Sequence, residues 1–300
     1  MILNTRVFPK HLDRDVSNIF FDDYNARTPE YPMLVETEMA PPGNHYTEAE
    51  LSILGGLRTI TEGDGVTFDN PVEGNEVTRY YTEFGLGIQL THQMASDDLT
   101  GNFSKLPKKL SKSSNDKVES AVADLFNSGF TVQTAWDGNF IFYDTRTTLK
   151  SGDTIDNSGT AATLSETSLI AAFEYFDTLV DSAGYPLMAT PKYLCVPTAL
   201  RATAERLLRT PQVVGGVNND LNMVGPSGFF GPQLFVSHYF TSDTAWFVLS
   251  DLWDGRLYWK EKFYMESADD FFTGNALFKV VGRFSTFVNN PIGGFGNTGN

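Results

Sequence analysis

Four histidines, one cysteine and two turn-rich stretches are where a chemical reading of this 300-residue chain has to begin. His11, His45, His92 and His238 stand far apart, with no HExxH or HxH spacing, and the single Cys195 excludes any CxxC pair. Neither set has the spacing that marks a transition-metal site, which therefore has little support in the sequence. GDGVTFDN carries Asp64, Asp69 and Asn70 but lacks the alternating oxygens and closing glutamate of a calcium loop, so it reads as a turn. GGFGNTG, near the end, opens no helix and matches no phosphate-binding fingerprint, and no GxSxG elbow is present. Cys195, inside YLCVP, reads as a buried strand position. The chemistry-bearing residues therefore imply no catalytic centre, no metal and no cofactor.

Composition sets the next limits. With 41% hydrophobic and 20% charged residues, the chain can bury a sizeable core. It has no run of about 18 apolar residues and no leader pattern at its start, which predicts a soluble protein made in the cytosol, away from membranes. The net charge of −15 is uneven: residues 1–104 hold 17 acidic against 6 basic side chains, a net of −11. Such a surface repels nucleic acid and argues against a sequence reader of DNA.

The elements that would position any site come in an unusual order. Residues 1–46 contain Pro29, Pro32, Pro41 and Pro42 and read as an extended arm. From Gly56 to Gly85 follows a ribbon, with LRTITEG and EVTRYYTEFGLGIQL as strands and turn residues in GDG, DNP and EGN. Isolated two-stranded hairpins are marginal in water, so this one needs a support outside itself. SNDKVESAVADLFNSGF then places Val118, Ala121, Val122, Leu125 and Phe126 on one helical stripe closed by Gly129, behind the basic flank KLPKKLSKS.

TLSETSLIAAFEYFDTLVDSAGYP predicts a second helix, with Thr163 and Glu166 as a capping box, Leu169, Ile170, Phe173, Phe176, Leu179 and Val180 as its apolar stripe, and Gly184 and Pro186 as its stop. PKYLCVPTALRATAERLLRTP reads as a buried strand followed by a helix through Leu200, Ala204, Leu207 and Leu208. A Gly- and Asn-rich loop spans Val213 to Phe230, strands follow in QLFVSHYF, TAWFVLSD, GRLYWKEKFYM and ALFKVVGRFSTFV, and PIGGFGNTGN reads as a short tail. An arm, a projecting ribbon and long loops without a reactive constellation describe an assembly protein.

That order of parts resembles the major capsid (head) proteins of tailed bacteriophages, most closely the head subunits of the phage Mu type. The resemblance implies an α+β tailed-phage major capsid fold: an extended N-terminal arm (1–46), a long β-hairpin E-loop (47–92), a P-domain with a spine helix from about Lys105 to Asn127 (93–184), a compact A-domain (185–270), and a closing P-domain strand with tail (271–300), with Arg283 as the basic residue of that last strand. It implies a structural, non-enzymatic subunit that assembles with itself as pentamers and hexamers into an icosahedral head, in the host bacterial cytoplasm, around double-stranded DNA that it encloses without sequence-specific binding. A separate scaffold, a portal and decoration proteins are the further partners such a shell implies. Arg58, Arg79, Tyr80, Tyr81, Lys108, Lys109, Phe229 and Phe230 are the candidate inter-subunit contacts. Two departures from the family stand out: no lysine occurs between Lys10 and Lys105, which excludes a lysine crosslink from the ribbon, and no long helical scaffold precedes the arm.

Besides an enzyme built on scattered carboxylates, two other readings stay open on the sequence. One keeps the fold as an encapsulin-like compartment around protein cargo. The other is a secreted β-rich carbohydrate-binding protein in which Trp253, Tyr258 and Trp259 stack on sugars.

Overall fold

The computed structural model describes residues 9–91, 105–212, 222–225, 231–270, 273 and 275–299, which divide into two compact units. The first comprises residues 1–46, 80–122 and 257–286; the second comprises 47–79, 123–256 and 287–300.

The first unit begins with a departure from expectation. Pro9–Ala26 is a helix, α1, where the proline-rich context had predicted an extended arm. Pro9 occupies the helix start, where a missing N–H costs nothing. Val16, Phe20 and Tyr24, four residues apart, then make one face, with the last two rings stacked at 5.9 Å. Phe20 is buried with Leu110 and Val280, flanked by Phe263 and Met265. After α1 come strands β1 (Glu36–Met39), β2 (His45–Leu51), β3 (Glu73–Tyr80) and β4 (Thr82–Leu90), and a second helix, α2 (Lys105–Asn127). The basic flank KLPKKLSKS is thus itself helical, with Pro107 tolerated in the first turn. On α2 the buried Glu119 carboxylate accepts the main-chain N–H groups of Glu30 (2.6 Å) and Tyr31 (3.1 Å), tying the segment after α1 to the helix. Burial raises this carboxyl above the usual range, with a further push from Glu30 and a partial offset from the two N–H donors.

The sheet of this unit has the order β1-β10-β11-β4, where β10 is Asp254–Asp269 and β11 is Ala276–Asn290. β4 lies antiparallel to β11, from Leu90 opposite Ala276 to Thr82 opposite Phe284. Gly85 and Gly87 let the strands approach here, since a Cβ at Gly87 would stand 3.3 Å from the Phe278 carbonyl. Trp259, Phe263, Phe84 and Phe284 pack on this sheet. Tyr258 and Trp259 are therefore core residues, which removes the exposed platform that a sugar-binding reading required.

In the second unit the sheet order is β12-β9-β7-β8, formed by β7 (Pro191–Pro197), β8 (Gln233–Ser237), β9 (Trp246–Ser250) and β12 (Gly294–Asn297). β7 and β8 are parallel, with Tyr193 opposite Gln233 and Pro197 opposite Ser237. Their connection includes helix α4 (Arg201–Arg209), the strand-to-helix unit read from PKYLCVPTALRATAERLL. The unit also holds the two-residue strands β5 (Arg146–Thr147) and β6 (Thr154–Ile155) and helix α3 (Glu166–Thr178). Leu169, Phe173 and Phe176 of α3 are buried with Leu194, Val196, Trp246 and Val248, as their spacing predicts.

The ends of α3 differ from expectation. Ser165 and Ser168, not Thr163 and Glu166, form the capping box, because the Ser168 hydroxyl already reaches the Ser165 N–H at 2.9 Å. The helix ends at Leu179, before Gly184 and Pro186, where the Leu187 N–H bonds the Leu179 carbonyl at 2.9 Å.

The tail is the largest departure in this unit. Gly294–Asn297 is a fully buried edge strand, antiparallel to β9, with Gly294 opposite Leu249 and Asn297 opposite Trp246. Its glycines act as packing surface: a Cβ on Gly294 or Gly296 would strike the rings of Trp253 or Phe142.

Candidate functional site

No reactive cluster emerges from these elements. Cys195 is fully buried in β7, and burial pushes its thiol far above the ordinary value. Asp69, the acidic turn residue, pairs with Lys150 and accepts the Gly55 N–H at 2.6 Å; those two contacts hold its carboxyl below the usual range. Arg146, 1% exposed, is ion-paired with the Asp137 carboxylate and donates to the Phe140 carbonyl at 2.7 Å, as a structural brace does. Among the described residues no three His, Cys, Asp or Glu side chains could hold a metal ion, and no helix is long and apolar enough to cross a membrane.

What the second unit does present is an unsupported apolar segment. β2 and β3 pair with each other, and between them residues 52–72 have no regular structure beyond a turn at Thr61–Asp64, whose Asp64 N–H bonds the Thr61 carbonyl at 2.9 Å. LRTITEG is therefore no strand: its β-branched residues have no neighbouring strand to pair with, and propensity without a partner does not make a sheet. EVTRYYTEFGLGIQL in turn breaks at Tyr81, β3 pairing with β2 and β4 with β11.

Closure at the base of the ribbon is well made. The Ser52 N–H bonds the Val72 carbonyl at 2.9 Å, and the Val72 N–H bonds the Ser52 hydroxyl at 2.8 Å. The Ile53 N–H also reaches the Ser182 hydroxyl at 2.8 Å. Above that base Ile53, Leu54, Leu57, Ile60, Val66 and Phe68 are all exposed, Phe68 at 90%. Single exposed apolar residues are ordinary on a protein surface, but six in one sixteen-residue stretch make an unusually dense exposed apolar row. A cavity of about 320 Å³ opens beside the base, lined by Leu51, Ile53, Ile155 and Ile292 with Arg146 and Asn290.

The candidate contacts fall in different settings. Arg58 lies on the exposed segment. Arg79 is half-buried, donating through its guanidinium to the carbonyl and hydroxyl of Thr134. Tyr80 is exposed beside His45, ring centroids 6.0 Å apart, whereas Tyr81 is 4% exposed and its main-chain oxygen takes the Arg283 Nε–H at 3.2 Å. Lys108 and Lys109 stand exposed on α2, and Phe229 and Phe230 lie outside the described residues. The segment's most exposed apolar side chains, Leu57, Val66 and Phe68, are not among the sequence-based candidates. Their signal was an apolar residue every few positions among glycines and acids, with no local core to receive them.

The comparison with known proteins settles the family. A family model described as phage capsid protein matches residues 76–297. The chain belongs to the phage capsid protein family. This is a structural family, and membership makes the chain a capsid protein and a virion component. Solved structures agree in fold. The capsid of bacteriophage JBD30, decorated with minor capsid protein trimers, has a subunit 13% identical, with a TM-score of 0.57 over 72% of this chain and 92% of that one. A structure from Mycobacterium phage Bobi is 12% identical, covers 91% of each chain and gives a TM-score of 0.57. A virus-like particle from Pyrococcus furiosus is 8% identical, with a TM-score of 0.51 over 95% of this chain and 98% of that chain. No curated protein matches the sequence.

Proposed function

We propose that this chain is the major head subunit of a tailed phage, of the phage Mu type, that assembles through pentamers and hexamers into an icosahedral shell around double-stranded DNA. In this reading residues 47–92 form the E-loop, laid over a neighbouring copy, and residues 1–46 form the N-arm. The P-domain combines residues 93–184 with the strand and tail at 271–300, and residues 185–270 form the A-domain. Assembly takes place in the host bacterial cytoplasm, with a scaffold, a portal and decoration proteins as further partners. The single observation that carries this reading is the row of six apolar side chains between Ile53 and Phe68, exposed in the isolated chain. Covering them by a second copy converts exposed surface into association free energy of roughly 1.5–3 kcal/mol per side chain. Because each subunit both gives and receives such a segment, the contact repeats around a closed ring.

Native mass spectrometry and negative-stain imaging of the chain expressed alone test this. Closed shells, or rings of five and six copies, are expected. A chain that stays monomeric at every concentration reached, with residues 52–72 resistant to proteolysis, would overturn the reading, since the segment would then have found its cover within one copy.

The absence of lysine from residues 11–104 gives a second expectation. Boiled and reduced shells will run as a single-chain band; ladders of covalent multimers would refute it.

A second reading keeps the same fold, which a virus-like particle from Pyrococcus furiosus also has, but makes the shell an encapsulin-like compartment around protein. The contents of purified particles, nucleic acid or a folded protein, decide between the two.

A further inference from the structure

Helix α2 carries a solvent face unlike the rest of this acidic chain. Its exposed positions between residues 105 and 120 are Lys105, Lys108, Lys109, Lys112, Ser113, Lys117 and Ser120. Every one is lysine or serine. The two acids of that stretch, Asp116 and Glu119, are half-buried and buried, and Glu119 is occupied by the N–H groups of Glu30 and Tyr31. Lys117 lies over the Phe84 ring at 4.5 Å, and the other four lysines of this face stand with Ser113 in the first two and a half turns.

Such crowding is locally unfavourable. Like charges three and four residues apart repel, and the opening turns of a helix favour acids over bases, yet the first turn here has no acid. A local rule broken in this way points to a use elsewhere. No carboxylate is among the exposed side chains along these roughly 22 Å, about four turns, of helix. An acidic ribbon from a second copy would bring Leu57, Val66 and Phe68 and would need apolar surface to cover them, which this face does not offer. A sugar-phosphate backbone needs only ammonium and hydroxyl donors.

We infer that the Lys105–Lys108–Lys109–Lys112 face of α2 is a phosphate-contact surface for duplex DNA. The inference rests on the capsid reading for the source of that DNA, and it gives an otherwise repelling wall one sequence-independent contact surface per subunit.

The test is fluorescence anisotropy of the full-length chain with a labelled random-sequence duplex of about 20 base pairs, with particle formation followed by light scattering in the same samples. Four phosphate contacts give a log–log salt slope of about −3.6, so affinity should fall about a hundredfold between about 50 and about 200 mM salt. Replacing all four lysines by glutamine should flatten that slope, whereas Lys192→Gln, at an exposed lysine outside this face, should leave it unchanged. Should the fourfold variant fail to fold by circular dichroism, Lys108→Gln and Lys109→Gln singly should each lower the slope by about 0.9.

Absence of salt-dependent binding by the unaltered chain, or a slope that survives the lysine substitutions, would overturn the inference. So would loss of particle formation in the fourfold variant with DNA binding intact, because the face would then meet an acidic copy. Failure of the capsid reading is separately visible, as DNA binding without particles.

Discussion

Excising residues 53–71 and joining Ser52 to Val72 through Asn-Gly yields a chain that folds but no longer assembles. Ser52 and Val72 already face each other through two hydrogen bonds, so a two-residue turn can close β2 onto β3 without moving either strand. Within the chain the excision removes surface interactions: the Ile53 to Ser182 bond, the Asp69 to Lys150 pair and the approach of Gly56 to Tyr185. Exposed interactions of this kind contribute little, and the melting temperature should stay within the shift caused by about 1 kcal/mol. What leaves with the segment is the six-residue apolar row. Even Leu57→Ser with Phe68→Ser removes two anchors of about 2 kcal/mol each per interface, on the order of a thousandfold in pairwise association. Sedimentation velocity separates the outcomes. Particles of unchanged size from the excised chain would mean that residues 53–71 carry none of the assembly free energy.

Much of the second unit was legible because its signals are local. Leu169, Phe173 and Phe176 lie three and four residues apart and land in one core; PKYLCVP is bounded by prolines and becomes β7. What escaped was decided by partners distant in sequence. LRTITEG has the composition of a strand, yet a strand is defined by its neighbour and none is offered. Gly294 and Gly296 look like a flexible tail because glycine carries no side chain to reveal a contact; the contact belongs to Trp253 and Phe142, which need the space a Cβ would fill. In α1 the signal was present, Val16, Phe20 and Tyr24 at a four-residue spacing, but four later prolines in the same segment outweighed it.

The candidate site was legible in part for the same reason. An absent core around GLRTITEGDGVTFDN could be inferred, whereas which side chains would stand exposed could not. Arg79 illustrates the limit: a basic residue at a ribbon's base reads as a surface contact, but Thr134, 55 residues further on, takes it.

The buried C-terminal strand supplies the other large effect, through Asn157. This residue is fully buried. Its Oδ1 accepts the Tyr143 N–H at 2.8 Å, while Nδ2 is shared among the carbonyls of Ile141 (2.9 Å), Pro291 (3.0 Å) and Gly294 (3.1 Å). One amide therefore holds the turn before β5 to the segment that becomes β12. Asn157→Ala should destabilise the chain by about 3–5 kcal/mol, since several buried partners lose a hydrogen bond at about 1–3 kcal/mol each and a small void is added. Asn157→Asp keeps the shape and inverts the electrostatics, facing a carboxylate with three carbonyl oxygens. Burial and those oxygens disfavour the charged form, so the folded-state pKa of the new carboxyl lies above its unfolded value. The penalty is then greatest above the folded pKa and shrinks as pH falls through it toward the unfolded one, because the protonated acid can donate to a carbonyl. Denaturant unfolding of the Asp variant should accordingly show a deficit at neutral pH that narrows in mild acid, while the Ala variant keeps a constant deficit relative to the unaltered chain at each pH. Equal stability of the Asp variant and the unaltered chain at neutral pH would mean that the Asn157 amide does not hold β12 in place.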